Sequence, residues 1–241
     1  MSADAFAPAV AVVVQARMGS RRLPGKIARP FGGSTLLEHI LGRLRRARVT
    51  ELVVATSAAP ADDRTEELAL AGRARVHRGS ETDVLGRFAE CVERLEADPD
   101  VVVRVCADRP FVCPALLDTL VERWELAGRP DYLSNTLTRS YPNGLDLELV
   151  RPEVLAAAAR EAADPYEREH VTPFVYRRPD RFRLVEDICP WGNFSQVRAT
   201  VDEERDLVAL AAVHERLAAV DPEYEHSAVL NLATLDPAAF P

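Results

Sequence analysis

The chain has 241 residues with 38 acidic and 30 basic side chains, a formal net charge of −8. At this length a fold buries roughly 70–75% of its unfolded surface, so it needs no disulfide or metal staple. The acidic balance argues against a general nucleic-acid binder, which shows a basic face, and no apolar run approaches the 18 residues of a membrane span.

Residues 10 to 15, Val-Ala-Val-Val-Val-Gln, predict a strand buried on both faces of a parallel sheet. A Gly/Pro/Arg-rich loop follows from Ala16 to Gly33. Thr35-Leu36-Leu37-Glu38 reads as a capping box opening a helix, with Leu37, Ile40, Leu41 and Leu44 at helical spacing. A strand is expected from Glu51 to Thr56, a helix from Asp62 to Ala71, a short strand from Arg75 to His77 and a helix from Glu81 to Ala97. Val101 to Cys106 predicts a fourth strand, and Pro114 to Leu126 a helix with proline in its first turn. Four strand–helix alternations in about 125 residues indicate a doubly wound α/β sheet. From Asp131 to about Arg198 the pattern breaks into short pieces, expected to be an irregular insertion for acceptor contacts or a subunit interface within a single domain, 1–241. Regularity returns with a strand from Arg198 to Val201 and a helix from Glu203 to Leu217.

The cysteines Cys91, Cys106, Cys113 and Cys189 form no C-x-x-C pair or zinc spacing. The opening Met1-Ser2-Ala3-Asp4 lacks the basic lead-in of a signal peptide. Reduced thiols and a cytoplasmic location are therefore expected. Among the 30 basic residues only Lys26 is lysine. Either a compact ammonium is wanted there, where a planar guanidinium would not fit, or the lysine is an accident of composition.

In an open α/β sheet ligands bind outside the carboxyl ends of the strands. The loop Gln15-Ala16-Arg17-Met18-Gly19-Ser20-Arg21-Arg22-Leu23-Pro24-Gly25-Lys26 lies at such an end and carries two glycines and four cations. Those are the ingredients of a polyphosphate cradle, although a basic surface loop would look the same. It is neither a Walker A loop, since Ile27 follows Lys26, nor a G-x-G-x-x-G dinucleotide fingerprint. Asp108 and Asp202 each fall just past an apolar strand pattern. They could supply the two carboxylates that magnesium takes beside substrate phosphates, or merely cap the following turns.

The loop resembles the A-R-x-G-S-x-R-x-P-x-K signature of the CMP-sugar synthetases, the cytidylyltransferases that activate sialic acid and Kdo. It is most similar to their spore-coat-polysaccharide branch. The similarity extends through Ser80-Glu81-Thr82-Asp83-Val84-Leu85-Gly86-Arg87, Val103 to Pro110, Asn143 to Glu148, Tyr166 to Thr172 and Thr200-Val201-Asp202. The resemblance implies a nucleotide-diphospho-sugar-transferase fold with a mostly parallel sheet, magnesium, CTP and a small-molecule acceptor, and a homodimer formed through the irregular region. It implies that Arg17 and Lys26 hold the triphosphate and that Asp108 and Asp202 bind the metal. Ala16, Met18, Gly19, Thr56, Ser80, Asp83, Arg87 and Arg104 would complete the nucleotide side. Ala107-Asp108 departs from the family's usual Gly-Asp, and Arg109 follows where small or neutral residues are commoner, which leaves the acceptor open.

Asp146 and Glu148 alternate with leucines, so a strand would project both carboxylates from one face, either toward an acceptor or into solvent. With Asn135, Tyr141, Arg168, Glu169 and His170 they form the expected acceptor set. Paired carboxylates and an aromatic suit sugar hydroxyls. Arg139, Arg168 and Arg198 would instead suit an anionic acceptor. Competing readings are a glycosyltransferase of related fold, for whose Asp-x-Asp metal motif Asp146-Leu147-Glu148 is a poor copy, and a non-catalytic nucleotide-binding subunit.

Overall fold

A computed structural model describes residues 7–241; the opening tetrapeptide Met1 to Asp4 lies outside the described residues. Strand β1 (Val10–Gln15) is an interior strand of the sheet. Val10, Val12 and Val14 enter one apolar core and Val13 the other, so both pleat faces are covered and the sequence reads as an unbroken apolar run. A small hairpin, β2 (Pro30–Phe31) and β3 (Ser34–Thr35), leads into α1 (Leu36–Leu44). The capping box is formed: Thr35 Oγ1 accepts from the Glu38 N–H and Glu38 Oε2 accepts from the Thr35 N–H.

The chain continues through β4 (Glu51–Ser57), α2 (Asp63–Ala71), β5 (Arg75–Gly79), α3 (Val84–Glu93), β6 (Val101–Cys106) and α4 (Pro114–Leu126). The expected four alternations are present. Helix α3 is shorter than the expected 81–97. Asp83 caps it through the Gly86 N–H, and at its far end the Glu51 carboxylate takes the N–H groups of Glu96 and Ala97.

The remaining elements are β7 (Tyr132–Ser134), β8 (Glu148–Val150), α5 (Pro152–Glu161), α6 (Pro165–His170), α7 (Pro173–Tyr176), β9 (Leu184–Glu186), α8 (Glu204–Ala218) and α9 (His226–Leu235). The sheet runs β5-β4-β1-β6-β8-β7-β9. Its first four strands are parallel, and β8 joins β6 antiparallel. The stretch expected as an insertion therefore supplies three strands of the same sheet, built from segments too short to show a period. Tyr132, Leu133, Leu149 and Val150 are buried there like any core strand residue.

The segment from Arg198 to Val201 is extended but is not a ladder strand. Its backbone bonds are shared between two partners: Asn143 exchanges bonds with Val197 and Ala199, whereas the Val201 N–H donates to the Asp108 carbonyl at 2.9 Å. That last bond draws the start of α8 to the end of β6. Gly144, at φ +120°, makes the first contact possible, because a Cβ there would lie 2.4 Å from the Ala199 carbonyl oxygen. Gly144→Ala should therefore lower stability by about 1–3 kcal/mol, read as a fall in thermal midpoint. An unchanged midpoint would show that this crossing is loose.

Candidate functional site

The path from β1 through α1 to β4 leaves to one side of the sheet, and the path out of β6 leaves to the other. The carboxyl ends of β1 and β6 thus frame a crevice at the point where strand order reverses, where α/β sheets take their ligands. A cavity of about 550 Å³ opens there, lined by the loop after β1 and by Cys106, Ala107, Asp108 and Asp202.

The loop is held by its own backbone. The Met18 carbonyl accepts from the Ser20 and Gly25 N–H groups at 2.8 and 2.9 Å, and Gly25 turns in the left-handed region at φ +69°. The Met18 N–H donates to Asp62 Oδ1 at 2.6 Å, and the same buried carboxylate receives the hydroxyls of Ser57 and Thr65. Asp62 was not legible as a loop anchor; it reads as a helix-start residue like any other.

Lys26 is the centre of the site. Its ammonium donates to Asp108 Oδ2 at 2.9 Å and to the Val201 carbonyl at 2.8 Å, and lies 3.9 Å from Asp202 Oδ1. Arg22 pairs with Asp202 at 2.7 Å. The structure thus brings together the two aspartates expected at strand ends, whose adjacency sequence could not show, although only Asp108 follows a ladder strand. Asp206 fixes the second of them, accepting the N–H groups of Asp202 and Glu203 at 3.0 and 2.9 Å and pairing with Arg198. Arg17 and Arg21 line the same cavity and make no ion pair among the described residues. Four cations therefore face two carboxylates, which favours a polyanion.

A divalent cation suits this donor set. The two carboxylates already converge on one positive centre, and magnesium takes one or two carboxylates with phosphate and water completing its shell. Among the described residues no cluster of three or more His, Cys, Asp or Glu could hold an ion unaided.

Cys106 also lines a second cavity, of about 560 Å³, so the two spaces adjoin at the end of β6. Asp146, Glu148 and His170 line it, together with Arg104, Arg109 and Arg139. Asp146 is paired with Arg109 at 3.2 Å and Arg139 at 2.7 Å. Burial opposes its ionisation, but Arg109 and then Arg139 outweigh it and hold its carboxyl below the usual range. Glu148 is likewise buried and held low by Arg104, with Thr172 and Tyr132 hydroxyls donating to it.

Several expected residues stand elsewhere. Arg104, expected on the nucleotide side, lies in the second cavity because its guanidinium is drawn to Glu148 and to Gln15 Oε1. Tyr141 is buried and donates its hydroxyl to Asp187, and Asn135 is spent on the backbone of Leu145 and Leu147. Neither lines the second cavity. Arg168 turns away to Asp83 and the Ala159 carbonyl, tying α6 to α3. Glu169 is exposed outside the cavity, and Thr56 is buried within β4. Ser80 and Asp83 form the turn before α3. Arg87 is wholly buried there and donates to the Ser80 carbonyl at 2.6 Å, with Nε and Nη2 unpartnered. Burial, and then the nearby Arg17, push its pKa down. Thr136 and Tyr176 join the second cavity with no sequence signal beyond their polarity, and Thr172, which closes the similar segment Tyr166 to Thr172, joins it too.

The cytidylyltransferase family model matches residues 11–227. The spore coat polysaccharide biosynthesis protein SpsF of Bacillus subtilis is 33% identical over 234 residues, covering 94% of this chain and 95% of that protein. A cytidylyltransferase structure from Leptospira borgpetersenii superposes with a TM-score of 0.88 at 31% identity, covering 96% of each chain. A CMP:2-keto-3-deoxy-manno-octonic acid synthetase complexed with CTP shares the fold, with a TM-score of 0.64 at 18% identity over 86% of this chain and 99% of that one. No helix among the described residues is long and apolar enough to cross a membrane.

Removing the Glu148 charge strands the Arg104 guanidinium in the interior, so Glu148→Gln should cost about 3–5 kcal/mol. The folded-state pKa of Glu148 is depressed, so its contribution is present above the unfolded value near 4.3 and is lost as pH falls below it. Thermal melts across pH 3–7 should show a lower midpoint for the variant at neutral pH and a smaller acid-induced fall than in the wild type. Parallel curves would contradict this.

Proposed function

The chain belongs to the cytidylyltransferase family, and we propose that it transfers CMP from CTP, with magnesium, to an oxygen of a small-molecule acceptor in the second cavity. Pyrophosphate is the leaving group. The observation that carries this reading is the single ammonium of Lys26 joining Asp108 and Asp202 beside a cavity lined by Arg17 and Arg21, which make no ion pair among the described residues, with Cys106 shared with a second polar cavity.

The acceptor oxygen attacks the α-phosphorus in line, forming the new P–O bond as the bond to pyrophosphate breaks. Catalysis of this kind is mainly positioning and charge neutralisation. Arg17 and Arg21 draw in the triphosphate, and Lys26 meets the charge that accumulates on the departing pyrophosphate. Asp108 and Asp202 would hold the magnesium, which supplies charge neutralisation at the transferring phosphate and orients the nucleophile. Asp146, kept ionised by Arg109 and Arg139, accepts hydrogen bonds from acceptor hydroxyls. Arg139, paired with Asp146 but partly exposed, would meet an anionic group on the acceptor. A sugar, a sugar acid and a phosphate- or phosphonate-bearing molecule all match this lining.

The irregular region also leaves Ile188 and Trp191 exposed, at 41% and 59%, beside edge strand β9, which supports a homodimer through that side. Sedimentation should give twice the chain mass at micromolar concentration; a monomeric mass would oppose it.

Pyrophosphate release, screened with four nucleoside triphosphates against an acceptor panel, tests the reaction. CTP with magnesium should be the preferred donor. Asp108→Asn should abolish turnover while the fold survives, and Lys26→Arg should approach but not reach the roughly 10²–10³-fold loss typical of removing a charge-stabilising donor. Pyrophosphate release unaffected by Asp108→Asn would sink the assignment.

A further inference from the structure

Lys26 occupies a position that a metal would contest. Its ammonium is within 2.9 Å of Asp108 and 3.9 Å of Asp202, and the Val201 carbonyl fixes it there at 2.8 Å. The side chain is only 13% exposed, so water and salt screen these contacts weakly. An ammonium and a divalent cation cannot both sit against this carboxylate pair, because two cations so close in a partly desolvated crevice repel strongly. Arg22 and Arg198 also pair with Asp202, at 2.7 and 3.6 Å, but Arg22 is 60% exposed and Arg198 is held by Asp206, whereas among the described residues Lys26 is the one cation paired with Asp108.

The loop backbone offers little freedom to relieve the conflict. Gly25 is turned in the left-handed region and tied to Met18, and Lys26 opens a single 3₁₀ turn closed by the Arg29 N–H. What can move is the four-carbon stem of Lys26. A lysine head has one compact charge that leaves a carboxylate readily, whereas a guanidinium would grip it in a two-pronged fork. That difference gives a physical reason for lysine at this one position in a chain that otherwise uses arginine.

We propose that Lys26 is an interlock: it holds Asp108 and Asp202 closed to a divalent cation until a nucleoside triphosphate draws the ammonium onto its own oxygens. Metal then enters with the nucleotide rather than before it. By linkage, nucleotide and metal raise each other's affinity by the same factor. The inference rests on the reading of Asp108 and Asp202 as the cation site, and its test separates the two.

Free Mn²⁺ is measured by electron paramagnetic resonance in titrations of the wild type, Lys26→Ala and Lys26→Met, each with and without Asp108→Asn, and with and without CTP. Thermal melts verify that each variant is folded, and Lys26→Met retains the stem if alanine destabilises the loop. Without nucleotide, both Lys26 variants should bind Mn²⁺ about tenfold more tightly than the wild type, the range expected on removing a partly buried competing ion pair. Asp108→Asn should erase that gain. If the Lys26 variants bind Mn²⁺ no better than the wild type, while the wild type with CTP takes Mn²⁺ in an Asp108-dependent way, the interlock is wrong and the cation site stands. If no form binds Mn²⁺ through Asp108 with or without CTP, the cation-site reading falls and the interlock with it.

Discussion

The site depends on one ammonium group. Lys26 reaches from the loop after β1 to the end of β6 and to the Val201 carbonyl, three segments separated by as many as 175 positions in the chain. Without a cation at that point, Asp108 would lose its only ion-pair partner among the described residues and the repulsion between the two carboxylates would be offset only from the Asp202 side, by Arg22 and Arg198. The backbone bond from Val201 to Asp108 sets the approach of the two segments, and Asp206 fixes the turn that presents Asp202. The loop, the strand end and the start of α8 are thereby fixed relative to one another before any ligand arrives, which is what positioning catalysis requires.

The second cavity is built on a different balance. Its arginines are already matched: Arg104 to Glu148, and Arg109 and Arg139 to Asp146. Buried charge of this kind is tolerated only when each group is paired, so the network holds β6, β8 and α7 in register while leaving polar edges toward the cavity. Arg109 sits one residue beyond Asp108, so its grip on Asp146 ties the geometry of the first cavity to that of the second. The departure at Arg109 noted in the sequence therefore has a structural consequence as well as a chemical one.

The parallel half of the fold was legible because its signals are local. The apolar run of β1, the Thr35–Glu38 box and the proline opening α4 each act within a few residues. The short strands β7, β8 and β9 were not legible, since three residues carry no periodicity and their burial is decided by distant neighbours. In the site, Asp108 and Asp202 were readable as strand-end carboxylates, but their adjacency arises from Lys26 and the Val201 bond. Tyr141 and Asn135 were misplaced because a polar side chain in an irregular stretch serves a buried hydrogen bond as well as a cavity wall. Arg168 was misplaced for the same reason, its partner Asp83 being 85 residues away.

On the proposed function the crevice between β1 and β6 takes a nucleotide, with Lys26 held at its centre and with Arg17 and Arg21 unpaired among the described residues. Calorimetric titration of Mg·CTP into the wild type and into Arg17→Ala tests it most directly, with Mg·UTP, Mg·ATP and Mg·GTP alongside. Arg17 lines the crevice without an ion-pair partner among the described residues, so its removal should leave the fold intact. The account predicts one CTP per chain, bound more tightly than the other three nucleotides and weakened at least about tenfold in Arg17→Ala, a loss of about 1.4 kcal/mol. Equal binding of all four nucleotides, or CTP binding indifferent to Arg17, would contradict it.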